Sequence, residues 1–347
     1  AANPTYPGGG SSRSPLQHLQ GTITPNSLHF ERHHAGIPDI NPTGHKLVIN
    51  GLVRQPLVFT YEDLLKYQMI SRVYFLECAG NSGALLRGGN TNGTAQSLHG
   101  LVSCAEWTGV PLSTILDEAG ILSDAKWVAA VGADAASMGR SVPIDKALDD
   151  VMIALYQNGE PIMPGQGYPM RLFCPGWEGN ISVKWLTQIK LTRGPAQFRD
   201  ETSKYTDTLP NRSSFQFSFP MGSKSLITSP SGQMSLERTG IYQITGIAWS
   251  GSGSIRRVEV SADGGQTWAD AAIQGLQLGK ALTRFSVPWE WNGSSAILQS
   301  RATDSRGNVQ PTREATLVER GNISFYHNHC IQSWGVSNVG EVTNVYV

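Results

Sequence analysis

At 347 residues the chain is longer than one ordinary hydrophobic core and fits two domains. Its 27 Lys and Arg balance 27 Asp and Glu, so no global field draws in nucleic acid or an anionic membrane, and any basic site must be a local cluster. No apolar run of about 18 residues marks a membrane-crossing helix, and 38 Gly, 19 Pro and 9 Trp indicate a loop-rich chain rather than a helical bundle.

The opening Ala1-Ala2-Asn3-Pro4 carries no charged stretch followed by an apolar one, which leaves a mature exported protein and a cytosolic one both open. Residues 1–27, rich in Gly, Ser and Pro, read as an extended arm. Lys46 to Gly51 reads as a short strand ending in a turn, and Thr60 as the N-cap of a short helix. Val73-Tyr74-Phe75-Leu76 is a buried strand running into Glu77-Cys78-Ala79-Gly80-Asn81. Pro111 to Ala119 reads as a helix with Pro at its first position and Gly120 at its stop. Trp127 to Val131 and Val183 to Leu191 read as strands. Mixed short helices and strands predict an α+β or mixed α/β domain over residues 28–212. From Ser225 onward the segments are short and β-branched, among them Tyr242 to Thr245, Arg257 to Ser261 and Ala296 to Arg301. Gly, Ser and Asn turns separate them, as in an antiparallel immunoglobulin-like sandwich, placed at residues 213–347. Ser261 to Trp268 resembles an Asp-box hairpin; with one copy there is no propeller, and Trp268 is expected to pack into the sandwich.

Cys78, Cys104, Cys174 and Cys330 form no C-x-x-C pair and no haem-attachment motif. Two disulfides are possible in an oxidising compartment but are not needed to staple a chain of this size. Cys104 and Cys174 read as core thiols. Cys78, at a strand end before a Gly-Asn turn, can project into a cleft. Arg32-His33-His34, Arg171 and Lys184 offer cations that would lower a thiol's pKa and bind phosphate, and a soft thiolate suits a transition metal. Taken alone, an isolated cysteine is more often a buried core thiol than a metal ligand.

The run Phe75-Leu76-Glu77-Cys78-Ala79-Gly80-Asn81 resembles the cysteine motif of the sulfite oxidase family of molybdopterin enzymes. The likeness continues in order through Phe30-Glu31-Arg32-His33-His34, Ala105 to Leu112, Gly139 to Pro143, Asn158 to Pro161, Gly167 to Arg171, Pro175-Gly176 and Val183-Lys184-Trp185-Leu186. Arg301 to Asp304 and Asn308 to Pro311 resemble the family's dimerisation domain. Glu178 to Leu186, Glu201 to Tyr205 and Tyr326 to Trp334 resemble its periplasmic bacterial group, the sulfane and sulfite dehydrogenase subunits.

The resemblance implies an α+β fold, a mixed α/β molybdopterin-binding domain followed by an immunoglobulin-like β-sandwich dimerisation domain. It implies a molybdenum-molybdopterin cofactor and no haem in this chain. Cys78 matches the metal's thiolate ligand, Arg32 an arginine facing the substrate oxyanion, and Tyr205 an active-site tyrosine. Cofactor contacts are implied for Arg32, His33, His34, Cys78, Asp134, Gln166, Arg171, Ser182, Val183 and Lys184. The implied reaction is oxidation of an inorganic sulfur compound by oxo transfer, sulfite to sulfate first and carrier-bound sulfane sulfur second. Electrons would pass to a separate c-type cytochrome, from a periplasmic homodimer with neither nucleic acid nor membrane as partner. A reductase of the same fold and a non-catalytic immunoglobulin-like binding protein are the rivals.

Three departures bear on the substrate. Ser82 and Gly83 stand where animal sulfite oxidases carry arginines, Gly335-Val336 follows Trp334 where another arginine is expected, and Gln166 replaces a cofactor-binding histidine. Fewer arginines attract a small dianion less strongly. His327 or His329 could restore part of that charge, and the His327-Asn328-His329-Cys330 cluster fits no standard zinc spacing.

Overall fold

The structure, a computed structural model, describes residues 10–86, 88, 92–322 and 325–347. Two sheets build the first half. In one, Ile70–Glu77 pairs antiparallel with Val102–Pro111, which pairs in turn with Met152–Gln157. In the other, Leu186–Thr192 lies parallel to Lys46–Gly51 and antiparallel to Trp127–Gly132. The expected strand from Lys46 forms because alternate residues Leu47 and Ile49 are fully buried while their neighbours are not. Thr60 caps its helix with a reciprocal box: its hydroxyl accepts from Asp63 N, and Asp63 accepts from Thr60 N.

The helix Leu112–Ala119 buries Leu112, Ile115, Leu116 and Ala119, the i, i+3, i+4, i+7 stripe. Pro111 is its N-cap rather than its first residue, and Gly120 ends it at φ +69°, a conformation glycine adopts without strain.

The second half is two stacked antiparallel sheets. Lys224–Ser229, Gly240–Trp249, Thr283–Trp291 and Ala272–Gln274 form one; Ala269–Asp270, Ile255–Ser261, Ala296–Asp304, Ser333–Val336 and Val342–Val345 form the other. Their inward residues share a core around Ile247, Trp249, Val258, Phe285 and Leu298. The Asp263 carboxylate closes the hairpin by accepting from Thr267 N at 2.9 Å. Trp268 does not enter the core as expected: it is half-buried, stacked at 4.3 Å beneath the Arg301 guanidinium, because its indole N–H is held by the Gly265 carbonyl of its own turn.

Two other expectations change. Residues 10–27 are docked rather than a free extended arm: Gly10–Ser12 pairs with Glu31–His33, a turn at 16–18 buries Leu16, Ser14 shares a 2.6 Å hydrogen bond with Ser103, and a 3-10 turn begins at Asn26; Ala1 to Gly9 lie outside the described residues. The strand expected from Val183 begins only at Leu186, because Trp185 sits at φ +52° and breaks the extended run.

Two histidines are buried as neutral groups. His29 donates from Nδ1 to Phe30 O and lies edge-on to Trp107; burial lowers its pKa to about 3. His99, wedged against Trp334, is pushed well below its ordinary value, again by burial first. Below the unfolded value of 6.5 the unfolded chain takes up protons that the fold resists, so stability present at neutral pH is lost as pH falls towards 3. Between pH 7 and 5 the expected loss is about 2 kcal/mol from His29, with His99 acting in the same direction. Urea unfolding at the two pH values measures it, and an unchanged midpoint contradicts it.

Candidate active site

The strand Ile70–Glu77 runs into Cys78, which lines a narrow cleft with room for water over about 60 Å³. Strand Glu31–His33 brings Arg32 and His33 to the same place, with His34 just beyond. Asp134 arrives after Trp127–Gly132, Gln166 from a single 3-10 turn, Arg171 from a short strand, Ser182 to Lys184 from the loop before Leu186, and Tyr205 after the helix Arg199–Thr202. All eleven residues singled out in the sequence therefore line one cavity, although they span positions 32 to 205.

Cys78 is fixed by its backbone. Its N–H donates to Leu101 O at 2.9 Å, and its carbonyl accepts from Asn81 N at 2.8 Å, closing the turn. Gly179 presses against it so closely that a Cβ there would lie 2.8 Å from Glu77 O and 3.5 Å from Cys78 Cα. Contrary to the expectation from nearby cations, the thiol's pKa is raised. Burial outweighs the opposing Gly80 hydrogen bond and the Arg32 charge.

Three cations face the cleft. Lys184 Nζ donates to Gly165 O at 2.8 Å and Arg32 O at 3.0 Å, and Gly167 must lack a Cβ because one would stand 2.9 Å from the Lys184 Cβ. Burial, then Arg171, pushes Lys184 down to about 7. Arg171 donates to Gln166 O and Ser182 O and is pushed down to about 9 by burial. Arg32 donates to its neighbour's carbonyl, His33 O. Among the described residues all these contacts are to carbonyls, not carboxylates. Arg171 Nε and His33 Nδ1 are buried without a hydrogen-bond partner there. Gln166 donates to Phe30 O, Ser182 Oγ accepts from Cys174 N, and Asp134 accepts from Met138 N, so these three shape the wall.

Tyr205 sits at φ +49°, with its ring 5.0 Å from Tyr326 and beneath Arg140 at 5.2 Å. Its hydroxyl lies 3.0 Å from His34 Nε2. Burial raises the phenol well above its ordinary value and lowers His34 to about 3, so both stay neutral. Sequence reasoning missed Met138, Asn180 and Trp185 as lining residues and the His34–Tyr205 bond. The Val183-Lys184-Trp185-Leu186 match was the signal for Trp185.

The departures have structural reasons. Ser82 is buried, hydrogen-bonded to His99 Nδ1 at 2.7 Å, and the Gly83 backbone is pressed against Phe325 O, so neither position admits an arginine without rebuilding. Gly335 and Val336 lie in a sandwich strand, away from the cleft. His327 and His329 do not line it either: His327 Nε2 meets Glu178 Oε1 at 2.7 Å, and burial lowers His329 to about 4. All four cysteines are free, and burial pushes Cys104 and Cys174 up to about 12, as core thiols.

Residues 34–199 match the oxidoreductase molybdopterin binding domain, and residues 216–333 the Mo-co oxidoreductase dimerisation domain. The mitochondrial sulfite oxidase of Mus musculus is 30% identical over 88% of this chain, and the NADH nitrate reductase of Ulva prolifera 30% identical over 88%. The chain spans only 60% and 40% of those relatives' lengths. The crystal structure of the sulfane dehydrogenase SoxCD from Paracoccus pantotrophus is 45% identical, with a TM-score of 0.96, covering 100% of this chain and 88% of that one. The chain belongs to the sulfite oxidase family of molybdopterin enzymes. It is therefore a chain of an oxidoreductase family rather than a free-standing immunoglobulin-like module.

The family's cofactor is molybdenum-molybdopterin, and the cleft suits it. One thiol, three cations bonded only to carbonyls, and unpartnered polar atoms on Arg171 and His33 form a donor set for a soft metal carried by an anionic group. An anion placed beside Lys184 would also reverse the downward shift of its pKa.

Proposed function

We propose that this protein oxidises a reduced sulfur compound, and that its preferred substrate is carrier-bound sulfane sulfur, with free sulfite second. The observation that carries this order is the likeness, over the whole chain, to a sulfane dehydrogenase, joined to the buried Ser82 and Gly83 where arginines would otherwise gather a small dianion. The order reverses the expectation from sequence. The same likeness favours a dehydrogenase over a reductase, although nitrate reductases are also relatives.

Bound in the cleft, the cofactor supplies oxygen-atom transfer to sulfur and accepts two electrons. Cys78 is the protein's ligand to molybdenum. Arg171 and Lys184 neutralise the cofactor's negative charge, while Gln166, Ser182, Val183 and Asp134 shape its seat and His33 offers Nδ1. Arg32 holds the negative oxygens that develop on sulfur. Tyr205, held protonated by burial, donates a hydrogen bond rather than acting as a base, and neutral His34 orients it. Water provides the oxygen overall, and for each substrate oxidised by one oxygen atom two protons and two electrons leave. A separate c-type cytochrome takes the electrons, a homodimer forms through the sandwich domain, and the periplasm is the compartment.

Loaded protein mixed with oxidised c-type cytochrome tests this. The kcat/KM should be higher with a persulfide-bearing carrier protein than with sulfite. A tenfold preference for sulfite would reverse the order, and cytochrome left oxidised by both would sink the dehydrogenase assignment.

A further inference from the structure

The strand ending at Cys78 has two faces that belong to different parts of the molecule. Leu76 packs with Phe30, Trp107 and Phe173 behind the cleft, whereas Phe75 packs with Trp249 in the sandwich core. With a period of two, Glu77 turns towards the sandwich and Cys78 towards the cleft. The sandwich grips this face by hydrogen bonds. Phe75 N–H donates to Lys280 O at 2.8 Å. Glu77 Oε1 accepts from Lys224 Nζ at 3.0 Å and from Asn81 Nδ2 at 3.0 Å; its Oε2 accepts from Trp249 Nε1 at 2.7 Å. Lys224 and Trp249 are cross-strand partners in one sheet, so the two donors form a rigid pair. On the far side of Cys78, Lys224 Nζ reaches Ser82 Oγ at 3.2 Å and His327 N–H donates to Ala79 O at 2.9 Å.

Lys224 is 0% exposed and Glu77 1%. A buried ion pair is a poor source of stability compared with a well-packed apolar pair, but it fixes geometry, since each charge tolerates few other arrangements. We propose that Lys224 and Trp249 are positioning residues: by clamping Glu77 they aim the adjacent Cys78 sulfur at molybdenum, so the sandwich domain sets the metal–thiolate bond as well as any dimer contact. This rests on Cys78 being the ligand.

The test uses loaded Lys224→Met, Lys224→Arg and Trp249→Phe proteins. It reads the thiolate-to-metal charge-transfer band, the Mo–S distance by X-ray absorption, and the rate of cofactor release on dialysis. Lys224→Met should shift the band and release cofactor about tenfold faster, the range for loss of a partner that orients a metal ligand. Trp249→Phe, which keeps the ion pair and most of the ring, should move every readout less in the same direction, and Lys224→Arg should recover part of the loss. If Lys224→Met does not fold, Trp249→Phe decides. A folded variant lacking either donor, with the original band, bond length and release rate, overturns the proposal even if its melting temperature falls. Cys78→Ser separates the two levels: a band surviving there removes Cys78 as ligand, whereas a band lost there but unmoved in the clamp variants removes only the clamp.

Discussion

Replacing Cys78 with serine is expected to lower turnover of the loaded protein by about 10³-fold or more, equivalent to about 4 kcal/mol of barrier. Serine keeps nearly the same volume, so the effect isolates the sulfur atom. The backbone bonds to Leu101 O and from Asn81 N are untouched, and a serine oxygen can accept from Gly80 N–H as the sulfur does. The fold should therefore survive, with an unchanged melting temperature in cofactor-free protein. On the proposed ligation, what changes is the ligand: a hard, weakly acidic hydroxyl replaces a soft thiol that a metal would deprotonate. Steady-state cytochrome reduction, set beside molybdenum and pterin content, measures this. Turnover within tenfold of the parent at equal cofactor content would remove Cys78 from the metal.

Cys78 was legible because its signal is local: an apolar strand, a Cys, and a Gly-Asn turn lie within a few consecutive residues. The gathering of Arg32, Asp134, Arg171 and Tyr205 around it was not, because no periodicity links positions so far apart. Only the ordered motif likeness placed them together, and the cleft they line is the physical form of that order. Contacts outside those motifs stayed hidden. The His34–Tyr205 bond joins residues 171 apart, and the Lys224–Glu77 pair residues 147 apart. The sandwich was readable from turn spacing, since each short strand carries its own punctuation. Trp268 was misplaced because composition says that a tryptophan wants cover, not that an arginine on the neighbouring strand will provide it. The strand from Val183 was read too long because its apolar residues match a strand, while the positive φ at Trp185 is imposed by the cleft, where Val183, Lys184 and Trp185 all face inward.

Arg32→Met should lower kcat/KM for sulfite by about 10²-fold, the scale for removing one donor from a site where negative charge develops. Two features of the structure argue for an effect that large. Arg32 lies in the cleft with Cys78, and its guanidinium donates to a carbonyl rather than to a carboxylate, so its charge is left for an external anion. Arg171 and Lys184 do not substitute for it: in the proposed assignment their charges are set against the cofactor's own negative charge, and burial lowers both their pKa values. Arg32→Lys should recover only part of the loss, because an ammonium keeps the charge but not the planar fork that fits an oxyanion. The size of the effect also separates the substrates. Free sulfite has only this cleft to hold it, so its KM should rise and its rate should lose much of its salt dependence. A sulfur group delivered on a carrier protein is bound partly by contacts outside the cleft, so the same substitution should act mainly on kcat and less on KM. Equal changes in KM for both substrates would mean that the carrier adds no binding of its own, and that sulfane sulfur is not the preferred substrate.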